Sequence, residues 1–159
     1  MMGHHTTQGK DHVPVGHVFI ESCRRNQLTW TMVASHEAVE MVGDEWVNLD
    51  VARILGDGSL ELWPRELCDA VQGVGYAVNG VMLSDFVYPE YFISGSDGPY
   101  DHCRELEEPF GIHKTGYASV LTIKNGIAQR RDQYGANHVD WHQDEKLFAR
   151  MHERWRSLT

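Results

Sequence analysis

Three short runs, Gly56-Asp57-Gly58-Ser59, Asn79-Gly80 and Asn125-Gly126, constrain the fold of this 159-residue chain more than any other feature. Asn-Gly is a strong hairpin signal because both central residues of the tight turn need positive φ, which asparagine tolerates and glycine adopts freely. Short stretches rich in β-branched, aromatic and leucine residues flank each run: VARIL and LELW, then GYAV and VMLSDFV, then YASVLTIK and IAQRR. Three antiparallel hairpins are therefore expected. Val15–Ser22 (VGHVFIES) also reads as a strand, whereas residues 1–14 are polar, end at Pro14 and read as a loop.

Between Thr29 and Gly43 the period changes. Trp30, Met32, Val33, Val39, Met41 and Val42 place apolar side chains around a helix, with Thr29 as its N-cap and Gly43 as a left-handed terminal residue. Valines and methionines over most of the circumference predict that this helix is largely buried. Trp141, Phe148, Met151 and Trp155 form a second apolar stripe at helical spacing. The expected class is α+β: short antiparallel strands and hairpins packed on a central helix, with a C-terminal amphipathic helix. Residues 1–136 make the domain and residues 137–159 the helical extension.

A net charge of −9 excludes nucleic acid and anionic membrane as main partners, because no basic stripe offsets phosphate repulsion. The densest basic stretch, Arg150–Arg156, sits beside Glu145 and Glu153 and reads as a solvated helix face. The cysteines, Cys23, Cys68 and Cys103, are odd in number and lack CxxC spacing. Neither a disulfide framework nor structural zinc on thiolates is indicated, and reduced buried thiols are expected. No run approaches the roughly 18 apolar residues of a membrane span, and the N-terminus has no apolar core of a secretory signal. A cytoplasmic location is expected.

The chemistry concentrates in Ser35-His36-Glu37-Ala38-Val39-Glu40. This is the zinc-peptidase pattern H-E-x-x-H with Glu40 in place of the second histidine. On a helix, His36 and Glu40 leave the same face one turn apart and can reach one cation. Glu37 stands where such helices carry the residue that accepts a proton from metal-bound water. Asp44, four residues beyond Glu40, is an alternative ligand or an acceptor orienting His36. Carboxylates on a largely buried helix must be compensated, by a cation or by exposure of that face. Glu66 and Asp69, three apart after Pro64, supply further ligand candidates, or else a turn with solvated acids. His4, His5 and His12 could reach back to a metal. His138 and His142, four apart, form another possible pair, although a histidine-rich helix start explains them better. Ser35 lacks the surroundings of a nucleophilic serine.

The blocks SHEAVEMVGDEWVN and ELCDAVQGVGYAVNGVMLSDFVYPEYF resemble a family of bacterial and phage proteins of unassigned function, commonly regarded as metalloprotease-like. A shorter version of the pattern is similar to the plant phosphate-induced, exordium-like proteins. Ser35, His36, Glu37, Glu40, Asp44 and Asn48 match the first element of the family pattern; Glu66, Cys68 and Asp69 match the second. Tyr76, Gly80, Ser84, Asp85, Phe86, Pro89 and Phe92 match the third, and Glu45 departs from the family's proline. His5 fits the family's upstream histidine loosely. The resemblance implies a zincin-like central helix, with His36, Glu40, Glu66 and Asp69 as metal ligands and Glu37 as general base. Zinc is the expected metal, with calcium or manganese as alternatives for an oxygen-rich donor set. Two functions remain open: zinc-dependent hydrolysis of a protein or peptide, or a structural role in a phage particle, with self-association through the C-terminal helix.

Overall fold

A computed structural model describes residues 2–11, 13–44, 46–47, 49–135 and 138–143. The chain begins with a hairpin rather than a loop: β1 (Gly3–Gln8) pairs antiparallel with β2 (Val13–Val18), His5 lying opposite Gly16. A short helix α1 (Ile20–Arg25) and the long helix α2 (Trp30–Gly43) follow. The Gly56–Ser59 run joins β3 (Asp50–Ile54) to β4 (Leu60–Pro64), with Gly58 at φ 81°. Asn79 and Gly80, at φ 50° and 81°, join β5 (Gly75–Val78) to β6 (Val81–Ser84). Asn125 and Gly126, at 50° and 76°, join β7 (Tyr117–Lys124) to β8 (Ile127–Tyr134). All three expected hairpins form, the last two on the paired positive φ values of a type I′ turn.

The final described element, β9 (His138–Gln143), pairs with β8 from Tyr134↔His138 to Gln129↔Gln143. The larger sheet runs β3-β4-β7-β8-β9, and β1-β2 and β5-β6 stand as separate two-stranded sheets. The described residues are thus mostly β, with nine strands in three sheets and two α-helices, one of them long. This overturns the expected zincin-like α+β arrangement centred on a helix. Two segments account for much of the difference. β1 lacks the aliphatic alternation that marks a strand, because a histidine occupies its inward face. Residues 138–143 take an edge-strand ladder that satisfies their backbone groups, where a helix start was expected. Phe148, Met151 and Trp155 lie outside the described residues.

Trp63, Phe110, Ala118 and Val120 form one core cluster against the larger sheet. Ala70, Val71, Val87, Tyr91 and Tyr100 form a second beneath the loops. Buried Glu61 is matched by Arg131 at 3.0 Å and by the Trp63 indole N–H at 2.9 Å. Helix α2 is tied to β6 by hydroxyls: Thr31 Oγ1 donates to the Met82 carbonyl at 2.7 Å, and Ser35 Oγ accepts the Ser84 N–H at 2.8 Å. Ser35 therefore anchors the helix. Thr29 precedes α2 in an extended conformation but makes no side-chain cap bond. Gly43 is not left-handed; a Cβ there would collide with the Leu67 side chain, so glycine permits close approach. No helix among the described residues is long and apolar enough to cross a membrane.

Close packing also seats the turn that carries Asp69. A 3-10 turn, Asp69–Val71, lies against the start of β7. There the Ala70 carbonyl accepts the His113 N–H at 2.8 Å. A Cβ at Gly116 would collide with the Ala70 carbonyl and lie 2.9 Å from the Asp69 oxygen. Backbone cannot yield as a side-chain tip can, so Gly116→Ala is expected to destabilise the fold by about 1–3 kcal/mol. Urea denaturation of both proteins measures it, and an unchanged midpoint would contradict the packing.

Candidate metal centre

Helix α2 buries the opposite of what an ordinary amphipathic helix buries. Its buried side chains are Glu37 and Glu40, 6% and 3% exposed, while Val42 is 85% exposed and Trp30 half exposed. Met32, Val33, Val39 and Met41 are half-buried, so these valines and methionines do share the packing as the sequence suggested. The innermost side chains are nonetheless Glu37 and Glu40, with His36 beside them. They face the N-terminal hairpin and the turn after β4, and with those segments they line a cleft of about 760 Å³.

Six of the residues singled out in the sequence converge there. His36 Nε2 lies 3.0 Å from Glu40 Oε1 and 3.2 Å from Asp69 Oδ1. His5 Nδ1 is 3.4 Å from both Glu37 Oε2 and Glu40 Oε2, and its Nε2 is 3.6 Å from Glu66 Oε2. Ligands about 2.0–2.1 Å from a tetrahedral zinc stand roughly 3.3–3.4 Å from one another, close to these histidine–carboxylate separations. Glu40 Oε1, Asp69 Oδ1, Glu66 Oε2 and His5 Nε2 are buried without a hydrogen-bond partner. Buried polar atoms are nearly always paired in folded proteins; here Glu40 Oε1 and Asp69 Oδ1 lean on His36 Nε2, and Glu66 Oε2 on His5 Nε2, at ion-pair distance only. Two groups of donors, His36-Glu40-Cys68 and His5-Glu37-Glu40, could hold a metal ion.

Electrostatics describes the same place. Burial alone would lower the pKa of His36; Asp69 and Glu40 override it and push it up to about 10. His5 is pushed up to about 9, first by its contact with Glu40, with burial opposing and the neighbouring carboxylates adding. Burial works against the Glu40 charge, but His36 and His5 hold its carboxyl well below the usual range. Glu66 is pushed up to about 8 by burial and then by the charges of Glu40 and Asp69. Burial and the Glu40 charge also raise Glu37. Without a cation, protons on the two histidines balance part of the charge.

Other candidates separate from the cluster. Asp44 is buried, but its carboxylate accepts the backbone N–H groups of Trp46 at 3.2 Å and Leu49 at 2.9 Å. It caps the end of the helix, and the contacts it makes are to these backbone groups rather than to His36. His138 and His142 lie on β9, where four residues span roughly 13 Å. Each pairs with its own carboxylate instead, His138 with Asp140 and His142 with Asp132, both at 3.2 Å. His4 stacks on His17 at 4.7 Å, and His12 lies outside the described residues. Cys68 went unnoticed as a donor. Its thiol, raised by burial, donates to the His36 carbonyl at 3.7 Å from within the Glu66–Asp69 stretch, and that position was the available signal. Tyr117, beside Asp69 at the cleft wall, also went unnoticed, since a strand tyrosine carries no such mark. Comparisons with protein-family models, curated proteins and solved structures each returned no match.

Proposed function

We propose that this protein binds a divalent cation on α2 and uses it to hydrolyse a peptide-like substrate in the adjoining cleft. The observation that carries the proposal is the buried face of α2, where His36, Glu37 and Glu40 meet Asp69 and more carboxylates gather than the two histidines can balance. His36 Nε2, Glu40 Oε1 and Asp69 Oδ1 hold the ion, with the Cys68 sulfur within reach behind them. Zinc is the proposed metal, since one imidazole, carboxylates and a thiol in reach suit it better than they suit calcium. Bound zinc lowers the pKa of its water toward about 7. Glu37 lines the cleft beside this donor set with its carboxyl raised by burial, which fits it to accept that water's proton.

Glu37→Gln is expected to slow metal-dependent cleavage of a mixed peptide library by about 10²–10⁴-fold, the usual contribution of a general base. The His36 ion stays bound. Mass spectrometry of the digest, with and without a chelator, measures the effect. Cleavage that survives chelation, or that Glu37→Gln leaves unchanged, would refute the proposal.

A second reading is favoured by the origin of the donors, which come from β1, from α2 and from the turn after β4. A cation there also cross-links three segments distant in sequence, as a structural metal does. Under that reading zinc raises the melting temperature and no peptide in the library is cut.

A further inference from the structure

The donors form two groups that meet at one residue. His36, Glu40 and Cys68 each place a ligand atom within 4.8 Å of the others, and so do His5, Glu37 and Glu40. Glu40 Oε1 turns to His36 Nε2 at 3.0 Å, while Oε2 turns to His5 Nδ1 at 3.4 Å. We propose that the site holds two divalent cations bridged by the Glu40 carboxylate, the first on His36 and Asp69 and the second on His5 and Glu37. The proposal rests on the reading that α2 binds a cation, and it adds a second ion and a second set of ligands.

Charge favours two ions over one once the carboxylates are ionised. Glu37, Glu40, Glu66 and Asp69 carry four negative charges when ionised, and His5 and His36 must be neutral to act as ligands. One divalent cation leaves two of those charges uncompensated in a buried site; two cations balance all four. Uncompensated buried charge costs several kcal/mol. Asp44 is held by backbone N–H groups outside both donor groups, although its charge also acts on Glu66. Four carboxylates and two histidines are also the donor inventory of dinuclear carboxylate centres in helical bundles. Here a hairpin, a helix and a turn supply it.

Details of the second group fit an ion. Its carboxylates are buried, Glu37 and Glu40 being 6% and 3% exposed, and the His5 Nε2 beside them has no hydrogen-bond partner. With His5 Nδ1 on the second ion, Nε2–H faces the unpartnered Glu66 Oε2 at 3.6 Å. A carboxylate behind a ligating histidine is the usual device for fixing its tautomer and orientation. Gly3 completes the arrangement: a Cβ there would lie 2.5 Å from Glu37 Oε1. The backbone of β1 covers that oxygen and leaves Oε2 directed at His5 and Glu40. Glu37 thus serves the second ion through Oε2, a role that takes the place of the proton-accepting one given to it above.

Titration of the metal-free full-length protein with Zn2+ by calorimetry, with elemental analysis after gel filtration, is expected to give two ions per chain. Two equivalents of Mn2+ are expected to show an exchange-coupled electron paramagnetic resonance spectrum, since bridged ions lie about 3.5–4 Å apart. Glu37→Gln, which keeps size and shape, and His5→Ala should each lower the stoichiometry from two to one and abolish the coupling. Saturation at one ion per chain would overturn the second site and leave the first intact; no binding at all would refute both. Two uncoupled ions that both variants retain would also overturn the proposal, because the second would then lie elsewhere.

Discussion

Glu40→Gln is expected to abolish cation binding altogether while leaving the protein folded. Glu40 is the one residue common to both donor groups, and its oxygens face His36 on one side and His5 on the other. Losing a residue behind a ligand typically weakens metal affinity 10–100-fold. Loss of a shared ligand should exceed that range and bring zinc binding below detection in a micromolar titration. Glutamine keeps the shape and still accepts hydrogen bonds, so the circular dichroism spectrum should persist. Glu40→Ala is a harsher change, because it strips both buried histidines of their closest carboxylate. Breaking a buried pair from one side costs about 3–5 kcal/mol, readable as a lower urea midpoint in metal-free protein. Wild-type zinc affinity in Glu40→Gln would remove α2 from the site.

The site was more legible in the sequence than the fold around it. The Asn-Gly turns declare themselves because positive φ is a local demand that few residues meet. Strand β1 does not, because its inward residue is His5, which is held there by the distant carboxylates of Glu37, Glu40 and Glu66 rather than by an apolar pattern in its own segment. Helix α2 lies where the spacing predicts it, and its valines and methionines are mostly half-buried. Its fully buried side chains, however, are Glu37 and Glu40, and Val42 points to solvent. His36, Glu37, Glu40, Glu66 and Asp69 could be named because short spacing on a helix or turn fixes direction. Asp44 shows the limit of that logic: one turn beyond Glu40, it sits where the helix stops, and free backbone N–H groups claim its oxygens. Cys68 shows the converse, a donor hidden by a search for paired cysteines.

The metal-free protein is expected to lose stability as pH rises from about 6.5 to about 10, and zinc should stabilise it more strongly across the same range. In the fold His36 rises from its ordinary 6.5 to about 10, because Asp69 and Glu40 outweigh the burial that opposes its charge. A proton held more tightly in the native state stabilises it fully below 6.5, and that contribution is gone above about 10. His5, raised to about 9, acts in the same direction. So does Glu66, which keeps in the fold, up to about 8, a proton that the unfolded chain releases near 4.5. Glu40 runs the other way: its lowered pKa stabilises above 4.5, and the contribution fades as pH falls toward about 2. Zinc competes with the histidine protons for the same atoms, so its affinity must rise as those protons become easier to remove. A ligand at one hundred times its Kd stabilises by about 2.7 kcal/mol. At roughly 2–4 °C per kcal/mol, that raises the melting temperature by about 5–10 °C. Melting curves at pH 5.5, 7 and 8.5, with and without zinc, should show the zinc-induced shift growing at each step. A shift of constant size would mean that zinc displaces no protons from His36 and His5, and the ion would then have to bind outside the cluster on α2.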